Sequence, residues 1–409
     1  MNGILKTIQQ QMHKMEAHFV KGAKLERFFP MFEMGDTFLF TPSDVTRTGS
    51  HVRDVMNLKR MMSVVVIALG PAVLFAMFNT GYQANRAISM GALPLDGWQN
   101  KLFEALGGVY DPGQFLWCLL LGALFYVPIL LVTFVGGMGT EVVTAIIRKE
   151  EINEGFLVTW MLIPLTLPPT IPLWMVIVGT AFGVLFGKEV FGGTGMNFLN
   201  PALTARAFLF FAYPAFMSGE TPWIAADFQG VDGFVGATWL AQAAAVPDAL
   251  ANASWWDSFA GLIHGSMGET SALALLLGAV ILIMTQVGSW RTMAGVTIGT
   301  IAMSLLFNQI GSETNPMFAV PFWWHMVLGG WALGTIFMAT DPVSSAYTDT
   351  GKWWYGIGIG VMVMLVRVVN PAYPEGMMLA ILFMNMFAPL LDYFVIRANI
   401  KRRVARSAA

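Results

Sequence analysis

Hydrophobic residues in this chain run in long blocks instead of alternating. Positions 61–78, 115–135, 271–287, 292–307, 317–338, 352–369 and 376–396 each form a predominantly apolar run. A helix rises about 1.5 Å per residue, so each run approaches or exceeds what crosses about 30 Å of hydrocarbon. The block 156–186 is too long for one span and contains Pro164, Pro168, Pro169 and Pro172, so it reads as two short helices. A further span is expected over 200–216. The pattern predicts an all-α integral membrane protein of about ten transmembrane helices, with an extra apolar stretch near 259–263 that re-enters or lies at the interface.

Charge placement orients these spans. The segment through Arg60, the Arg148–Lys149 turn, Lys188, Arg291, Lys352 and the tail Arg397, Lys401, Arg402, Arg403 and Arg406 fall on one side if the spans alternate. Short cytoplasmic loops collect Lys and Arg, so both termini are expected in the cytoplasm. Between Arg206 and Arg291 there is no Lys or Arg, whereas Glu220, Asp227, Asp232, Asp248, Asp257 and Glu269 lie there, as in an exported segment. The chain then divides into a cytoplasmic extension 1–60, a five-helix half 61–216, an outward, periplasmic loop 217–257, a second five-helix half 258–396 and a basic tail 397–409. Two halves of five spans each predict an inverted-topology repeat. Helix breakers stand in both, at 192–202 (GGTGMNFLNPA) and 339–345 (ATDPVSS), where unwound backbone can line a site.

Composition narrows the function. Of 409 residues, 56% are hydrophobic and 12% charged, half the charge of a soluble domain, which leaves a lipid bilayer as the surroundings. A net charge of −2 gives no basic face for nucleic acid. The single cysteine, Cys118, excludes an intrachain disulfide and a four-cysteine cluster. The polar start MNGILKTIQQQ is not a signal peptide. The histidines form no axial-ligand pair for haem, and no metal site is expected. GGTGMN lacks the preceding strand and the acidic residue of a dinucleotide fold, so no dinucleotide-binding site is expected in this chain.

The remaining candidates each have a structural and a functional reading. Asp232, Gly233, Phe234, Val235, Gly236, Ala237 and Thr238 form a polar turn whose small residues leave the Thr238 hydroxyl accessible. Gly136, Gly137 and Gly139, followed by Glu141, permit either helix packing or close approach of a flat ring. Arg206, Arg367 and Asp392 are charges within or near spans, where they snorkel, pair (Asp392 with Arg397) or serve ion movement. Asp341, before Pro342, caps a broken helix or meets a cation.

The turn at 232–238 is similar to a flavin-attachment motif: Asp, two residues, Ser or Thr, Gly, Ala, then the Thr that receives the flavin. Val235 departs from it where Ser or Thr is usual. Longer runs agree as well: TRTGSHVRD, FGKEVFGGTGMNFLNPALTARAFLFFAYP, MATDPVSSAYT and RVVNPAYPEGMMLAILFMNMFAPLLD. On these, essentially the whole chain resembles the B subunits of sodium-translocating NADH:quinone reductases. The resemblance implies FMN esterified to Thr238 by a flavin transferase, with Asp232, Gly236 and Ala237 in the attachment motif, a bound riboflavin, and ubiquinone reduction involving Gly137 and Glu141. It also implies partner subunits and a bacterial inner membrane. Asn197 and Asn200 could pair with the edge of the riboflavin ring, while Asn200 also suits capping of the helix begun at Pro201. Asp392, and more weakly Asp341, are the carboxylates expected to influence ion coupling. The homologous D subunit of a ferredoxin:NAD reductase complex and a secondary transporter or channel with an inverted repeat are the competing readings.

Overall fold

The computed structural model describes residues 58–149, 155–228, 235–370 and 373–408, together with Val231 and isolated positions before residue 33. Asp232 and the TRTGSHVRD segment lie outside the described residues. The described chain is helical apart from its connections and one two-stranded pairing.

The first half begins with α1 (Leu58–Ser89), which continues well beyond the apolar run ending at residue 78. Its polar continuation is satisfied internally: Asn79 donates from Nδ2 to the Ile263 carbonyl at 2.8 Å, and Gln83 donates to Asn79 Oδ1 at 3.2 Å. A strand, β1 (Leu93–Pro94), and a short helix, α2 (Trp98–Ala105), lead to α3 (Phe115–Arg148). The proline-rich block resolves into two helices as the sequence predicts. Helix α4 (Phe156–Leu165) stops before Pro168 and Pro169, and α5 (Leu173–Gly187) restarts after Pro172. Gly192, Gly193 and Gly195 all adopt positive φ, unwinding the chain before α6 (Pro201–Ala212).

The connection to the second half carries β2 (Ala226–Asp227), paired antiparallel with β1 so that Leu93 faces Asp227. It then forms α7 (Trp239–Ala245) and α8 (Trp255–Ala260). The second half comprises α9 (Ala272–Met284) and α10 (Trp290–Ile310), capped by the Ser271 and Ser289 hydroxyls. Here the expectation of one continuous span over 317–338 is overturned. Pro321 and the Gly329–Gly330 pair divide it into α11 (Phe322–Val327) and a short α12 (Trp331–Leu333) that runs on as a π-helical turn, Gly334–Met338. Helices α13 (Asp349–Val369) and α14 (Met377–Ala408) complete the chain.

Among the described residues, six helices are long and apolar enough to cross a membrane, and α4, α6 and α9 are shorter apolar helices. Matching neighbours recur in the two halves. Helix α3 packs along α5 as α10 does along α13, and α5 along α6 as α13 does along α14. Asn200-Pro201-Ala202 at the start of α6 recurs in sequence as Asn370-Pro371-Ala372 ahead of α14. Helices α10 and α13 cross closely. A Cβ on Gly295 would stand 2.9 Å from the Trp353 carbonyl oxygen, and one on Gly356 would stand 2.5 Å from that of Thr292. Small residues spaced by four let these backbones touch.

The non-helical segment 261–271 packs against the unwound chain after α4. Met267 N–H donates to the Leu167 carbonyl at 3.1 Å and Gly268 N–H to that of Leu165 at 2.8 Å, so the two breaks satisfy each other. The apolar stretch near 259–263 is thus the end of α8 followed by extended backbone packed within the protein.

Candidate functional sites

Two cavities adjoin these breaks. The first, a narrow space of about 50 Å³, is lined by Thr159 on α4, by Lys188, Asn197 and Asn200 in the unwound stretch before α6, and by Thr340 and Asp341 after the π turn. Asn200 caps α6, its Oδ1 accepting from Ala202 N–H at 3.0 Å and Leu203 N–H at 3.2 Å, and its Nδ2 has no protein partner among the described residues. Asn197 donates to the Leu199 carbonyl at 2.9 Å. Asp341 accepts from Ser344 Oγ at 2.7 Å and from Val343 N–H at 3.3 Å, closing the turn after the π segment. Asn197, Asn200 and Asp341 therefore share one wall system, although they are far apart in sequence. Amides, hydroxyls and a carboxylate along this wall offer the donors and acceptors that the polar edge of a flavin ring pairs with.

The second cavity, a small one of about 20 Å³, is lined by Thr238, His264, Ser266, Glu269, Gly329 and Glu375. Thr238 is the N-cap of α7, with Oγ1 accepting from Ala241 N–H at 3.3 Å. Only 9% of the residue is exposed, so the accessible hydroxyl expected from the small neighbours is corrected: the Thr238 side chain borders the cavity. Gly236 is needed there, because a Cβ would run into the Glu220 carbonyl oxygen and the Phe228 ring. Ala237 presents its carbonyl to His264 Nε2 at 2.5 Å. A carbonyl only accepts, so Nε2 carries the proton. Esterification of Thr238 removes a donor but leaves an oxygen able to accept from Ala241, so the cap is compatible with an attached phosphate.

Beneath this cavity lie charges whose positions the sequence does not reveal. Arg206 is buried, paired with Glu269, and donates to Ser266 Oγ at 3.3 Å. Glu269, expected among the acids of an exported loop, is instead 5% exposed. Arg367 does not snorkel. It is fully buried and donates to the carbonyls of His325 at 2.7 Å, Leu328 at 3.0 Å and Glu375 at 2.9 Å. These carbonyls belong to unwound or terminal backbone, which cannot be left unpaired in hydrocarbon.

Gly137 and Glu141 lie within α3, not at its end. A Cβ on Gly137 would meet the Phe156 ring, so the space expected for a flat ligand is filled by Phe156 itself. Glu141 is buried against Lys188, a residue the charge pattern places in a cytoplasmic loop. Asp392 does not pair with Arg397, whose guanidinium instead lies 6.0 Å from the centre of the Tyr393 ring. Its carboxylate accepts from Tyr347 N–H at 2.7 Å, Thr348 N–H at 2.9 Å and Thr348 Oγ1 at 2.5 Å, fastening α14 to the start of α13.

Among the described residues no cluster of metal-ligating side chains occurs. Comparison with known proteins places the whole arrangement. Residues 45–401 match the model of the NQR2, RnfD, RnfE family. The B subunit of the Na(+)-translocating NADH-quinone reductase of Pseudomonas paraeruginosa is 56% identical over 406 residues, covering 98% of this chain and 99% of that protein. Its counterpart in Azotobacter vinelandii is 55% identical over 98% of this chain and 99% of its own length, and that of Chromohalobacter salexigens is 53% identical over 98% and 97%. With near-complete coverage in both directions, the chain belongs to the NQR2, RnfD, RnfE family of membrane proteins.

Proposed function

We propose that this chain is the membrane electron-transfer subunit of a sodium-pumping NADH:quinone reductase of the bacterial inner membrane, with FMN esterified to Thr238, riboflavin in the amide-lined cavity and ubiquinone as substrate. The observation that carries the reading is full-length similarity to such subunits, joined to a threonine that borders a cavity in an attachment-like turn. Flavins supply one- and two-electron transfer, which amino-acid side chains here do not. The other subunits oxidise NADH and deliver the electrons, and a flavin transferase loads Thr238.

The chain's own residues position and insulate. Thr238 supplies the ester oxygen while Gly236 lets the turn lie flat against Phe228. The Arg206–Glu269 pair keeps the floor of that cavity polar but electrically balanced. Asn197 and Asn200 offer amides to a ring edge, both side chains lining the same space. Ubiquinone approaches the α3–α4–α5 junction, where Phe156 over Gly137 must give way for a flat ring and Glu141, held by Lys188, can pass a proton to a quinone oxygen. Asp392 and Asp341, each bracing a helix break, influence ion coupling through those breaks.

Flavin fluorescence that stays with the denatured polypeptide on a gel tests the central assignment. Thr238→Ala should abolish it and Thr238→Ser should retain it; an FMN mass increment on the Thr238→Ala protein removes Thr238 as the acceptor.

A further inference from the structure

The Ala237 carbonyl, one residue before Thr238, has among the described residues a single side-chain partner from a distant part of the fold. His264 stands 27 residues further on, in the non-helical segment after α8, and its Nε2 meets that carbonyl at 2.5 Å while the ring lines the same cavity as Thr238. The segment holding His264 is itself tied down. Asn79 on α1 donates to the neighbouring Ile263 carbonyl at 2.8 Å and to Thr270 Oγ1 at 3.3 Å, and Met267 and Gly268 donate to the break after α4. Gln242 donates from Nε2 to the same Ala237 carbonyl at 2.7 Å, but it lies on α7, the helix that Thr238 caps, and so moves with the turn. Among the described residues, His264 alone connects the acceptor turn to the membrane-embedded frame through this carbonyl.

We propose that His264 is the positioning residue of the flavin acceptor: its Nε2–H anchors Ala237 to the frame so that Thr238 Oγ1 is held at the cavity edge in the orientation esterification requires. The proposal rests on the reading of Thr238 as the flavin-bearing residue. In that step an Oγ1–phosphorus bond forms, the hydroxyl proton leaves, and a phosphorus–oxygen bond of the donor breaks. A phosphate monoester would have to expel hydroxide, so the donor is a flavin dinucleotide, whose phosphoanhydride releases a nucleoside monophosphate. His264 touches neither donor nor leaving group; it fixes the acceptor. Misplacement of a reacting atom by about 1 Å costs up to about a hundredfold in rate.

Glutamine and asparagine separate positioning from bulk. The Gln Nε2 amide can occupy the place of imidazole Nε2, whereas the shorter Asn amide stops near the Nδ1 position and cannot reach Ala237. The complex is expressed with His264→Gln, His264→Asn or His264→Leu, and flavin transferase is induced afterwards. In-gel fluorescence then follows covalent flavin with time, while non-covalent riboflavin per complex reports assembly. Initial flavinylation should fall about tenfold to a hundredfold in His264→Asn and His264→Leu and stay within about twofold of wild type in His264→Gln, with riboflavin content unchanged in all three. Equal rates in Gln and Asn variants overturn the proposal, and this pair decides the matter even if the Leu variant does not assemble. Thr238→Ala, run alongside, keeps the two readings apart. Flavin persisting on Thr238→Ala overturns the acceptor assignment, whereas flavin lost there but attached at wild-type rate in His264→Asn overturns the role of His264 alone.

Discussion

Around the amide-lined cavity, unwound backbone is satisfied from close by: Asn200 caps the helix two residues on, Asn197 bonds Leu199, and Asp341 bonds Val343 and Ser344. Around the Thr238 cavity it is satisfied from across the fold. Arg367 reaches the His325 and Leu328 carbonyls, Arg206 reaches Glu269, and His264 reaches Ala237. Apart from the buried Lys188–Glu141 pair, the first arrangement is modular, and a lost local contact there costs about what a helix cap costs. The second is a set of buried charges and distant bonds, in which removing one partner strands another.

The sharpest way to break this contrast is Glu269→Leu, which leaves the buried Arg206 guanidinium without its carboxylate. A loss of about 3–5 kcal/mol is expected, since an uncompensated buried charge is among the most destabilising changes known. Thermal unfolding of the assembled complex reads it, together with loss of covalent flavin; unfolding at the wild-type temperature would show that Arg206 finds another partner. Gly137→Val comes next. It drives a side chain into the Phe156 ring at a cost of about 1–3 kcal/mol, and ubiquinone reduction should fall severalfold while the flavin on Thr238 remains attached. Unchanged quinone turnover would take this junction out of the quinone site.

Asn200→Ala sharpens the comparison from the modular side. Losing the α6 cap costs about 1 kcal/mol, and riboflavin per complex should drop while in-gel fluorescence from Thr238 persists. Loss of both flavins together would mean that the two cavities do not behave independently. The smallest effect is expected of Asp392→Asn, which keeps one oxygen for the Thr348 hydroxyl but removes a negative charge from the start of α13. About 1 kcal/mol of stability and a roughly twofold to fivefold rise in the sodium concentration for half-maximal turnover are expected. An unshifted sodium titration leaves Asp392 only as the fastening between α13 and α14.

The same contrast explains what is legible in the chain itself. Apolar block length identifies the long helices, and the prolines place the α4–α5 break, because both are local properties. The Asn200 cap is legible for the same reason, with Pro201 directly after it. The break within 317–338 is not, because Pro321 and Gly329–Gly330 sit inside an otherwise apolar run, where hydropathy outweighs their effect on the backbone. Charge alone assigns Glu269 and Lys188 to aqueous loops, since nothing near them in sequence names Arg206 or Glu141 as the partner. Phe156 over Gly137 is equally hidden, being a contact between separate helices. A hint for Glu269 does exist: it is a single carboxylate directly before the apolar run of α9, with no basic residue nearby.

The two bonds from Met267 and Gly268 to the carbonyls of Leu167 and Leu165 also set a schedule for synthesis. When the break after α4 leaves the ribosome, the N–H groups that satisfy it lie about 100 residues downstream. At about 5–20 residues per second, those carbonyls wait about 5–20 s for their partners. During that interval the early helices must keep the break in contact with water or the insertion machinery, because lipid offers it nothing to bond. The order of membrane insertion is thereby fixed: the first half enters unfinished, and only the arrival of the segment before α9 lets it close.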